Sequence, residues 1–201
     1  MALVRSILFV DGENLTFRYQ SLIASGRIPK QSVQHHQDVY VWTPEMGHRA
    51  VIDTDMIRIN YYTSMVGGED EVAKVREEIS TLSYFMHGDF YGPCQLYPRV
   101  YKKAKQSTKS RLVDINITID VMRHAYSNAI DVVYLFSGDG DFVNLAEEVA
   151  RSGKKICIAS FSSGLEPRLI SSADRFVLLD DFYFEPMPQE PAVLQDPGRP
   201  S

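Results

Sequence analysis

A chain of 201 residues that is 44% apolar and 23% charged can bury a substantial core without disulfide or metal staples, so one soluble domain with a tail is expected. Its two cysteines, Cys94 and Cys157, lie in or beside apolar stretches without CxxC spacing or neighbouring histidines. That favours packed thiols in a reducing cytoplasm and argues against a disulfide framework or a zinc site. The net charge of −5 does not advertise a nucleic-acid binder, no stretch approaches the roughly 20 apolar residues of a membrane span, and the apolar start meets Asp11 too early for a secretory signal.

In chain order, an apolar run over residues 4–10 predicts a strand, and a first helix follows it. Residues 24–55 break the pattern. The runs 39–42 and 49–52 flank Thr43-Pro44-Glu45-Met46-Gly47-His48 and predict an inserted β-hairpin. Its Trp42 is the only tryptophan. Three uses are open to it: packing onto its own domain, stacking on a base, or burial in a homodimer made through residues 39–52. Further strands are predicted at 56–63, 94–101, 132–136, 156–161 and 176–179, with helices at 70–87, 113–127, 142–152 and near 166–171. Alternation of this kind predicts an α/β fold, a Rossmann-like three-layer sandwich with a mostly parallel central sheet, whose ligands bind beyond the carboxyl ends of the strands. The domain is expected to span residues 1–185. The proline-rich remainder, 186–201, has the composition of a disordered tail.

Two strings at strand ends carry candidate chemistry. In Asp11-Gly12-Glu13-Asn14, Gly12 permits a sharp exit that turns Asn14 back toward the pocket of Asp11, although an Asp after a strand is also an ordinary helix cap. In Ser137-Gly138-Asp139-Gly140-Asp141-Phe142, two like charges stand two residues apart. Asp141 is the better helix cap, which leaves Asp139 without a structural task and favours metal binding, with Ser137 in support. Asp114 opens a helix, where the dipole also welcomes a carboxylate. Asp120 is six residues on, roughly 120° around that helix. It is therefore a supporting residue, expected to be half-buried and hydrogen-bonded to the loop after Asp11. Between residues 99 and 111 stand Arg99, Lys102, Lys103, Lys105, Lys109 and Arg111 and no acid, either a solvated loop or one that holds phosphates.

DGEN after the first strand, the K-x-x-x-x-D-x-x-x-x-x-D string through Lys109, Asp114 and Asp120, and SGDGDF after a later strand together resemble the NYN family. These are PIN-like nucleases that include the LabA-like bacterial proteins. The likeness runs over most of residues 3–182 and takes in Gly153-Lys154-Lys155-Ile156 and the segment Arg168 to Phe176. It implies a Rossmann-like domain with an acidic site, dependent on Mg2+ or Mn2+, that hydrolyses RNA. Asp11, Asn14, Asp114, Asp120, Asp139 and Asp141 match its motif positions. The insertion around residues 40–52 departs from the compact pattern.

The residues support the same chemistry on their own terms. Asp11, Asp114, Asp139 and Asp141 suit one or two Mg2+ ions, and Asn14 is a group to orient a water or a ligand carboxylate. Lys102, Lys103, Lys105, Lys109 and Arg111 suit backbone phosphates, with little sequence preference. Two other classes stay open: a non-catalytic RNA-binding or regulatory module, and a haloacid-dehalogenase-type phosphatase. The phosphatase motif places a second Asp where this chain has Glu13. No GxxxxGK[ST] string is present.

Overall fold

The computed structural model describes residues 4–45, 54–85, 93–104 and 111–187. Strand β1 (Arg5–Asp11) runs directly into α1 (Gly12–Ala24). A short antiparallel hairpin follows, β2 (Gln34–His36) with β3 (Tyr40–Trp42), turned by Asp38 at φ 59°, a conformation that Asp tolerates better than most residues. Then come β4 (Asp55–Met65), α2 (Glu69–Thr81), the small pair β5 (Ser83–Phe85) and β6 (Pro93–Gln95), and β7 (Tyr97–Lys102). The remainder is α3 (Arg111–Tyr126), β8 (Val132–Phe136), α4 (Val143–Arg151), β9 (Lys155–Ser160), α5 (Pro167–Ser171), β10 (Arg175–Leu178) and α6 (Asp180–Tyr183).

Six strands form one parallel sheet in the order β10-β9-β8-β1-β4-β7. Parallel strands buried on both faces read as unbroken apolar runs, as Ile7-Leu8-Phe9-Val10 does. Alternate residues feed two cores. Leu8, Val10, Tyr61, Tyr134 and Phe136 pack with α1 and α2, while Ile7, Phe9, Tyr62, Val133 and Leu135 pack with α3 and α4. The predicted three-layer α/β fold is the observed one. From β1 the chain moves outward through β4 to β7, then returns to lay β8 on the other side of β1. That makes the β1/β8 junction the switch point, where a crevice opens beyond the carboxyl ends.

The inserted hairpin differs from expectation in its pairing. β3 pairs with β2, which the sequence pattern did not mark as a strand, and the anticipated second arm at 49–52 lies outside the described residues. Trp42 is fully buried, its Nε1 donating to Ser83 O at 3.0 Å and its ring edge-on to Tyr61. It packs onto its own domain. The predicted helix 70–87 stops at Thr81, and the predicted strand 94–101 divides into β6 and β7 at the buried Leu96. The tail from Pro188 lies outside the described residues. Among the described residues no helix is long and apolar enough to cross a membrane.

Candidate metal centre

Asp11 is the last residue of β1, the cap of α1 and fully buried. A buried carboxylate needs donors, and two are supplied from opposite sides. The backbone N of Asn14 donates to Oδ1 at 3.1 Å, and Ser137 Oγ, itself fully buried beyond the end of β8, donates to Oδ2 at 2.8 Å. The strand register makes this possible, because Val10 lies beside Phe136 and the next step brings Asp11 level with Ser137. Gly12 is required by close approach. A Cβ there would meet the Tyr61 ring and stand 2.7 Å from the Tyr62 carbonyl oxygen.

Asn14 joins the two strand ends a second time: its Oδ1 accepts from the backbone N of Gly138 at 3.1 Å. The residue expected to orient a water therefore has a backbone partner in the β8 loop. Around Asp139 the capping task differs from that expected. Asp139 is the cap, its Oδ1 accepting from the backbone N of Asp141 at 3.0 Å, and Asp141 is an exposed member of the 3-10 turn Gly140–Phe142. The turn begins three residues before α4, and its cap is Asp139, two residues before the one expected.

Asp114 lies in the first turn of α3. One carboxylate oxygen each from Asp11, Asp114 and Asp139 all lie within 4.8 Å of one another, an arrangement that fits one divalent ion. Asp141 is outside this group. So is Asp120, as the helical spacing predicts: α3 turns Asp120 toward β4, where Tyr62 Oη donates to it at 2.8 Å and Arg123 at 2.5 Å. Its anticipated bond to the loop after Asp11 is replaced by this Tyr62–Arg123 pairing, and burial together with the Asp120 bond pushes the Tyr62 hydroxyl pKa far above its usual range.

The basic residues divide. Lys102 is exposed and pairs with Glu69 at 2.7 Å, and Arg111 is exposed at the start of α3. Lys103 does not project into solvent: its Nζ is 2.9 Å from Glu13 Oε1, and the two side chains are only 9% and 10% exposed. Ser64 Oγ donates to the same Glu13 oxygen, so Glu13 ties α1 to β4 and to the end of β7. The pairing of Glu13 with Ser64 and Lys103 was not legible in the sequence, since only the strand order β1-β4-β7 brings them together. Lys105 and Lys109 lie outside the described residues.

The NYN domain model matches residues 5–180. The chain belongs to the NYN domain family. NYN domains are in general nucleases, and this one brings three carboxylates to the carboxyl ends of its sheet. Its fold is similar to the crystal structure of a protein of unknown function from Vibrio parahaemolyticus RIMD 2210633, with a TM-score of 0.61 and 19% identity over 91% of this chain and 97% of that one. A comparison with curated proteins finds no match.

Proposed function

We propose that this NYN chain is a metal-dependent ribonuclease whose site is built on Asp11, Asp114 and Asp139. The observation that carries the reading is the approach of their oxygens to within 4.8 Å at the switch point of the sheet. The donor set is hard oxygen, which suits Mg2+ or Mn2+ and not a thiolate-seeking ion. When bound, such an ion supplies an activated water and offsets charge on the phosphodiester.

The chain's own groups do the positioning. Ser137 and the Asn14 amide fix both oxygens of Asp11, and the Asp141 amide fixes one of Asp139. Asn14 and Gly138 hold the two loops at a constant separation, so the carboxylates stand ready before substrate arrives. Exposed Asp141 acts at the rim through water, while Lys102 and Arg111, together with Lys105 and Lys109, receive backbone phosphates. Glu13, which stands where a phosphatase would place its second Asp, is engaged with Lys103 and Ser64, which favours the nuclease over the phosphatase. The buried thiol of Cys157, its pKa pushed up to about 11 by burial, is in keeping with a reducing cytoplasm. A homodimer through residues 39–52 would have to rest on residues other than Val41 and Trp42, which are fully buried within the domain.

The test is Asp139→Asn, assayed on labelled single-stranded RNA and DNA with Mg2+, Mn2+ or chelator. An Asn still caps the turn. Divalent-dependent cleavage of RNA should vanish while the metal-free fold stays as stable or gains slightly from lost repulsion. Cleavage retained in the variant would remove Asp139 from the site, and RNA bound but never cut by the parent protein would point to the non-catalytic module.

A further inference from the structure

Among the described residues, no helix packs on β7 on the sheet face that carries α3 with the contact that α2 makes on the other face. α3 packs on β1, β4 and α4, whereas the helix packed on β7 is α2, on the other face with Val72, Val75 and Val100. By the register of β4 and β7, Tyr97, Arg99 and Tyr101 share a face with Asn60, Tyr62 and Ser64, the face toward α3. Arg58 stands on that face two residues before Asn60. Its guanidinium lies 4.4 Å from the centroid of the Tyr97 ring. Arg58 and Arg99 are exposed, Tyr97 is 51% exposed and Tyr101 half-buried. From the α3 side Arg123, with 65% of its side chain exposed, reaches the same floor through Asp120, and Asp120 is already held by Arg123 and the Tyr62 hydroxyl. At the foot of the strip a cavity of about 380 Å³ opens, lined by Arg58 and Tyr97 with Ile57, Ile59, Ser83 and Gln95.

Three exposed guanidiniums interleaved with tyrosines give this face a local positive patch on a chain of net charge −5, with Arg123 already paired to Asp120. Arginine and tyrosine at alternate strand positions put cations and ring faces on one side, as a single-strand stacking platform requires. The strip also leads to the acids. From Tyr97 to Tyr101 it climbs roughly 13 Å along β7, and β7 lies only two strands, about 10 Å, from β1. Its upper end therefore stands beside the carboxyl edge that carries Asp11.

We propose that Arg58, Tyr97, Arg99, Tyr101 and Arg123 form a track for single-stranded nucleic acid, with guanidiniums on phosphates and tyrosines on bases, beside the scissile position. It rests on the nuclease reading above, but its test is made in binding. In full-length protein carrying Asp139→Asn, the affinity for a long single-stranded oligonucleotide is measured by fluorescence anisotropy across a salt series. Arg58→Ala with Arg99→Ala should weaken binding about tenfold and lower the salt slope by roughly 1.4, since each single-strand phosphate contributes about 0.7. Tyr97→Ala should weaken it by roughly 5- to 100-fold and leave the slope unchanged. Unchanged affinity and slope in the arginine pair would overturn the proposal. So would Tyr97→Ala without effect, or displacement of the oligonucleotide by polyglutamate at equal concentration, which would assign the strip to an acidic protein. If the parent protein cuts nothing, the nuclease reading fails while the binding series still decides the track.

Discussion

His124 is one side chain that contributes to the response of this domain to acid. It lies on α3 with its ring 6.1 Å from that of Phe9, and burial lowers its pKa below 6.5, with Asp120 opposing and Arg123 and Arg58 adding to the depression. The unfolded chain takes up this proton near pH 6.5, and the folded chain only at lower pH. Within that interval the unfolded state binds more protons, so stability rises with pH. Its contribution should be complete above about pH 6.5 and drain away as pH falls through that value toward the folded pKa. Urea denaturation at neutral and mildly acidic pH should show His124→Gln losing less stability on acidification than the parent, although His35, also lowered by burial, keeps part of the effect. Residue identity alone made the acids legible, but not their tasks. Asp139 took the capping task expected of Asp141 and kept its place in the acid cluster, because a 3-10 turn precedes α4 and nothing in Gly138-Asp139-Gly140-Asp141 fixes where that turn begins.

At the scale of elements, the β1–α1 junction is braced from two strands away. Glu13 in the first turn of α1 gains from the helix dipole and accepts from both Ser64 and Lys103. Removing the cation leaves a nearly buried carboxylate with a hydroxyl donor in place of an ion pair. Lys103→Ala should cost about 3 kcal/mol of folding stability, measured by chemical denaturation. It should leave oligonucleotide affinity nearly unchanged under conditions where the variant is folded. A weakened affinity at undiminished stability would return Lys103 to the phosphate-binding set. Elements with strong local patterns were legible: β8 was anticipated at its observed bounds, and β9, β10, α3 and α4 within about two residues. β2 and β5 were not: His35, His36 and their neighbours carry no apolar alternation, residues 83–85 read as part of the helix 70–87, and such short strands exist only through partners that fold beside them.

For the molecule as a whole, the three-carboxylate cluster links ion binding to folding. Whatever binds only the native arrangement stabilises it, by about 2.7 kcal/mol at a hundredfold excess over Kd. Mn2+ should therefore raise the thermal midpoint of the parent protein and leave that of Asp139→Asn almost unmoved, an outcome readable by calorimetry without any substrate. The convergence of strand-end acids could be inferred from their positions in the α/β pattern, while the tyrosine–arginine strip depends on β7 being the edge of the sheet, which no local string encodes. The bond between Ser137 and Asp11 spans 126 positions of chain, and Asp114 enters between them. Such a contact carries the loop-closure entropy of most of the domain. No fragment ending before β8 holds all three carboxylates, so the proposed site comes into being only when the chain has been made past β8 to Asp139.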